Sequence, residues 1–108
     1  MAYLEALKTL GVEQAVLTGL DGLVIESAGR GSSELLAAEL ASLLRHMAPL
    51  AEALSGEVRR FTLATDAREV LAVRVKDYLL AAVINRGADR KAVGNELSRI
   101  ALRLAEEL

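Results

Sequence analysis

Apolar residues recur along this chain in two alternating periods, and the switches between them mark out eight elements. From residue 2 to 10, Leu4, Leu7 and Leu10 are three apart, which sets them on one side of a short helix. Gly11 then offers a left-handed stop. "EQAVLTG" and "LVIES" follow as β-branched runs, read as strands 13–19 and 23–28. Leu20, Asp21 and Gly22 join them, and Asp-Gly suits the type I′ turn whose twist matches that of paired strands. Residues 34–54 carry the longest helical pattern, with Leu36, Leu40, Leu43, Leu44, Met47, Leu50 and Leu54 on one face. Ser32 or Ser33 can cap that helix, Glu34 suits its positive end, and Pro49 predicts a kink or restart just before it.

The period then returns to two. "EVRRFTLAT" (57–65) and "EVLAVRVK" (69–76) flank Asp66-Ala67-Arg68 as a second hairpin. Residues 78–85, apolar almost throughout, predict a strand covered on both faces and therefore central. A final helix over 89–107 aligns Val93, Leu97, Ile100, Ala101 and Leu104. The order αββαβββα defines an α+β fold in which the long helix crosses from one hairpin to a group of three strands.

Length and composition narrow this further. A chain of 108 residues is one domain, 1–108, and can bury roughly 60–70 % of the surface its unfolded form exposes. Only 3 % of it is aromatic, so the core must be aliphatic. A formal net charge of −2 gives no basic footprint, which argues against a nucleic-acid partner. There is no cysteine, hence neither a disulfide framework nor thiolate ligands. The opening "MAYLEALKTL" mixes acid and base with its apolar residues, unlike a signal peptide, and no apolar run approaches a membrane span. The expectation is a cytoplasmic protein without a membrane contact.

No residue set stands out for catalysis, and neither a cofactor nor a metal is expected. "AGRGSSELL" (28–36) resembles a phosphate loop only in its glycines: it lacks the Lys of a Walker loop, and a hairpin precedes it where a dinucleotide fingerprint needs a parallel βαβ unit. Gly29 and Gly31 are therefore read as backbone freedom at a strand exit. His46 is the single histidine, with Ser42 and Leu50 as its i±4 neighbours and no carboxylate there to orient it. A small-molecule sensor or enzyme built on residues 29–33 is the least favoured reading.

The long helix is the informative element. Beyond its Leu/Met stripe it carries Leu35 and many alanines, more apolar surface than one sheet contact needs. Burying each additional Leu contributes about 1.5–3 kcal/mol, enough for two or three in each partner to hold a dimer. The strand bearing Arg59, Phe61 and Leu63 follows at once and is read as a sheet edge with unpaired backbone groups. A twofold interface through Leu36, Leu40, Leu43, Leu44, Met47, Arg59, Phe61 and Leu63 is the expectation.

"VLTGLDGLVIESAG", the small-residue helix "AAELASLL", "FTLATDAREVLAVRV" and "YLLAAVINRGAD" together resemble the Roadblock family, the dynein-light-chain-type domain, over almost the whole chain. The resemblance implies a five-stranded antiparallel sheet with the long helix on one face and the two terminal helices on the other, a Roadblock/profilin-like arrangement. It also implies homodimers formed by third strands and second helices. Bacterial members include a gliding-motility regulator that binds a Ras-like GTPase and stimulates GTP hydrolysis through a surface that includes the second helices. Carried over, that surface is Glu39, Ser42, Arg45 and His46. The implied function is a non-enzymatic homodimeric module that regulates a small Ras-like GTPase, and the alternative is a scaffold that recruits a signalling or motor partner without touching a GTPase.

Overall fold

The computed structural model describes residues 3–108. Nine elements follow in order: α1 (Glu5–Lys8), β1 (Val12–Gly19), β2 (Val24–Gly29), α2 (Ser33–His46), α3 (Ala48–Ala53), β3 (Arg60–Ala64), β4 (Arg68–Val75), β5 (Tyr78–Asn85) and α4 (Arg90–Glu107). The strands form one antiparallel sheet in the order β2-β1-β5-β4-β3. β5 lies in the middle, as its unbroken apolar run requires, and β2 and β3 are the two edges.

Alternation along the strands feeds two separate cores. On one face Leu17, Leu80 and Ile84 meet Leu4 and Leu7 from the start of the chain and Val93, Leu97, Ile100 and Leu104 from α4. On the other, Val16, Leu79, Ala81 and Ala72 meet Ala37 and Leu40 of α2. The implied α+β architecture, a five-stranded antiparallel sheet between one helical segment and the two terminal helices, is what the chain adopts.

Several local expectations need correction. The first helix is a single turn, Glu5–Lys8, shorter than 2–10, and residue 2 lies outside the described residues. Its amino end is held from elsewhere: the Glu26 carboxylate of β2 accepts from the Tyr3 and Leu4 amides at 3.0 and 2.8 Å. The first hairpin does not use a type I′ turn. The Gly22 amide donates to the Gly19 carbonyl at 3.0 Å, only Gly22 has a positive φ, 90°, and Asp21 Oδ1 accepts from the Leu23 amide. This is a type I turn closed by a left-handed glycine, favoured because Asp21 then stabilises the loop itself.

The long helix divides at Met47, one residue earlier than α3 begins, with Pro49 in the first turn of the new segment, where its missing N–H costs no helical bond. Ser32 caps α2 by accepting from the Leu35 amide. α3 ends on Ser55, left-handed at φ 64°, with the Gly56 amide returning to the Ala51 carbonyl at 3.0 Å. Residues 57–59, expected to open the next strand, are irregular, so β3 begins at Arg60 and not at 57.

At the exit of β2, Gly29 has φ 91° and Gly31 φ 89°. A Cβ on Gly29 would lie 2.1 Å from the Glu13 carbonyl oxygen, so this crossing demands glycine for steric reasons as well as for φ. The loop that resembles a phosphate cradle is thus explained by its backbone path.

Candidate functional site

The α4 side is closed: Leu4 and Leu7 near the start of the chain and Val93, Leu97, Ile100 and Leu104 of α4 are all sealed against the sheet. The α2 side is not. α2 lies over β1 and β2, its Ala37 and Leu40 share one core with Val70 and Ala72 of β4, and the edge strand β3 continues beyond it with Leu63 exposed. Phe61 and Leu63 pair with Ala72 and Val70 on this open side, where Phe61 is half-buried and Leu63 is 52 % exposed. α3 projects alongside and exposes Leu50 and Leu54. Between them runs a groove of about 350 Å³ whose apolar lining is Met47, Leu50, Ala51, Leu54, Val58 and Phe61, with the charged Glu57, Arg59 and Arg60 also on its walls.

Next to that groove the outer side of β3 pairs with no strand among the described residues, because β4 occupies its inner side. A chain segment in extended form can pair there while its side chains enter the groove. The two features, an apolar trough and a free ladder, sit side by side on one rim.

The predicted interface residues separate into two sets. Leu40 and Leu44 are 4 % and 8 % exposed, so they belong to the core of this chain and are not available to a second one. Ala37 and Ala41, surplus by the sequence pattern, are buried likewise, because small side chains let α2 approach the sheet closely. Leu36, Leu43 and Met47 are half-buried along one flank of α2, and Leu36 touches the small core. Arg59 is exposed just before β3, and its carbonyl accepts from the Arg74 amide at 2.7 Å. Leu50 and Leu54 are not in the predicted interface although they lie on the same stripe. The signal that finds them is Pro49, which turns the last part of that stripe away from the sheet.

Glu39, Arg45 and His46 are exposed and Ser42 is half-buried, all on the outward face of α2 with Leu35 and Ala38. His46 Nδ1 lies 2.7 Å from the Ser42 carbonyl oxygen, which can only accept, so Nδ1 is the donor in this contact. Acid lies toward the start of α2, at Glu34 and Glu39, and base toward its end, at Arg45 and His46. Leu23 and Ile25 on the opposite rim also escape sequence reasoning. They are 71 % and 53 % exposed, and the pairing of β2 with β1 slips by one residue at Ile25.

Among the described residues no group of three or more His, Cys, Asp or Glu could hold a metal ion, and no helix is long and apolar enough to cross a membrane.

The arrangement, a five-stranded antiparallel sheet with a short helical side left open along one edge, places the molecule in a class of α+β domains with several solved members. An MglB in a tetrameric arrangement superposes with a TM-score of 0.88 at 21 % identity, over 94 % of this chain and 81 % of that one. The gliding protein MglB of Thermus thermophilus gives 0.84 at 21 %, over 96 % and 85 %. The Roadblock/LC7 domain of Streptomyces avermitilis gives 0.81 at 23 %, over 89 % and 84 %. Identities this low carry the fold alone. The Roadblock/LC7 domain family model matches residues 2–85, and the chain belongs to that family. No protein of curated function matches it in sequence.

Proposed function

We propose that this chain is a non-enzymatic, cytoplasmic interaction module that forms a homodimer and, as a dimer, binds and regulates a small Ras-like GTPase. The observation that carries the reading is the coincidence of the Met47–Leu50–Leu54–Phe61 groove with the unpaired edge of β3. A second copy related by a twofold axis satisfies both at once, strand against strand and α3 against the open side of the sheet. Leu36, Leu43, Met47, Arg59, Phe61 and Leu63 then form the contact, joined by Leu50 and Leu54. Membership of the Roadblock/LC7 family and the tetrameric arrangement of the similar MglB support self-association.

In such a dimer the outward faces of the two α2 helices lie on the same side. Their exposed Glu39, Arg45 and His46, with the half-buried Ser42, offer the client surface, and the likeness to gliding-motility MglB proteins favours a GTPase as that client. The module supplies no reacting group. It acts by holding the client in one conformation, which requires tighter binding to that conformation than to any other.

The test uses the small Ras-like GTPase encoded nearest this chain, loaded with GTP or with GDP. Co-elution with the GTP form alone, lost in Arg45→Glu while the dimer persists, is the expected result. Binding that ignores the nucleotide makes the chain a scaffold instead, and failure of the dimer to form removes the reading.

A further inference from the structure

A recess of about 440 Å³ lies at the end of the sheet where β3, β4 and β5 meet the start of α4, and Thr65, Arg68, Glu69, Asn85, Arg86 and Arg90 supply its polar walls. None of these residues belongs to the open groove or to the outward face of α2. The fold gathers the three arginines from separate places. Arg68 opens β4 and pairs with Asn85 at the end of β5, Arg86 follows that strand, and Arg90 opens α4.

Two carboxylates steady this cluster without using it up. Glu13 engages Arg68, and Glu69 engages Arg90 at 2.8 Å, both at Nε, which leaves the Nη groups of each guanidinium over. Arg86 is exposed and enters no ion pair among the described residues. Two of three positive charges are thus compensated, and one remains. The other polar walls are already engaged: the Thr65 hydroxyl bonds the backbone of Ala67 and Arg68, and the Asn85 side chain accepts from the Gly87 amide and donates to Glu13. Asp89, close by in sequence, does not line the recess and caps α4 at the Ala92 amide.

We propose that this recess binds a small organic anion, whose carboxylate or phosphate group is held by the Nη donors of Arg68, Arg86 and Arg90. Guanidinium forks match the paired oxygens of both groups, and the volume suits a small molecule better than a bare ion. Arg68 and Arg90 keep 56 % and 63 % of their side chains in solvent, so the binding is weak and salt-sensitive.

The test titrates the labelled chain with sodium citrate and, separately, with inorganic phosphate, at an ionic strength held constant with sodium chloride. Arginine Nε–H resonances are followed by NMR in weakly acidic buffer. Saturable shifts are expected at Arg68, Arg86 and Arg90, with none at Arg45 or Arg99. Arg86→Gln breaks no ion pair within the chain, so it should weaken binding by about tenfold and leave the melting temperature of the free chain unchanged. Arg99→Gln should leave binding as it is. Saturation by citrate alone assigns a carboxylate, by phosphate alone a phosphoryl group, and either keeps the site. Shifts that never saturate, or that reach Arg45 and Arg99 equally, are ionic screening and overturn the proposal. So does the absence of any shift, or binding that survives Arg86→Gln.

Discussion

The two faces of one sheet are finished to different degrees. Behind it, α1 and α4 enclose large aliphatic side chains, Leu4, Leu7, Leu97, Ile100 and Leu104, at 0–1 % exposure. In front, α2 contributes mainly alanines with Leu40 and Leu44, and the sheet outruns the helix, leaving Phe61, Leu63, Leu50 and Leu54 in or near solvent. The first face holds the fold together, and the second is the one we propose for association. Stability and assembly are therefore written into different residues and can be changed separately.

Substitutions on the two faces should divide accordingly. Leu97→Ala removes a fully buried side chain from the closed face, and a loss of about 2–5 kcal/mol is expected in denaturant unfolding, the same at every protein concentration. Gly94, inside α4 with no neighbouring atom within 4 Å of where a Cβ would stand, should accept alanine with a gain of about 0.5–1 kcal/mol and no change in association. Leu54→Ser on the open face, 76 % exposed, should move the stability of the dilute monomer by less than about 0.5 kcal/mol while dissociating the dimer in sedimentation. A Leu54→Ser chain that stays dimeric would erase the distinction between the faces.

The smallest effect concerns pH. Arg68, by a direct hydrogen bond, holds the Glu13 carboxyl below its ordinary range, and Asn85 adds a second bond at 3.4 Å. A lowered pKa stabilises the folded form above the ordinary carboxylate range, and that contribution fades as the solution is acidified through it. Glu13→Gln should flatten this part of the acid-unfolding curve while leaving the association of the open face unaltered.

Much of the fold is legible in the sequence, for identifiable reasons. Period-two and period-3.6 patterns locate every strand and the two long helical segments, and the unbroken apolar run of residues 78–85 marks the central strand correctly. The pattern does not separate residues that a helix buries in its own sheet from those it leaves over. Leu40, Leu44 and Leu54 look alike in sequence, yet the break at Met47 directs the first two inward and the third outward. Turn geometry is also hidden, because Asp-Gly serves a type I′ turn and a type I turn with a left-handed glycine equally well. The bulge at Ile25 leaves no trace at all: one residue drops out of the pairing with β1 without altering composition or hydropathy.

The clasp at the chain ends has a dynamic consequence. Glu26 anchors the Tyr3 and Leu4 amides, the Tyr3 hydroxyl donates to the Glu107 carboxylate, and the Arg103 guanidinium lies over the Tyr3 ring. The first turn, the outermost strand and the tail of the last helix thus open as a single unit. In hydrogen exchange their amides should lose protection together, ahead of β1, β5 and β4, so that loosening any one member releases the other two.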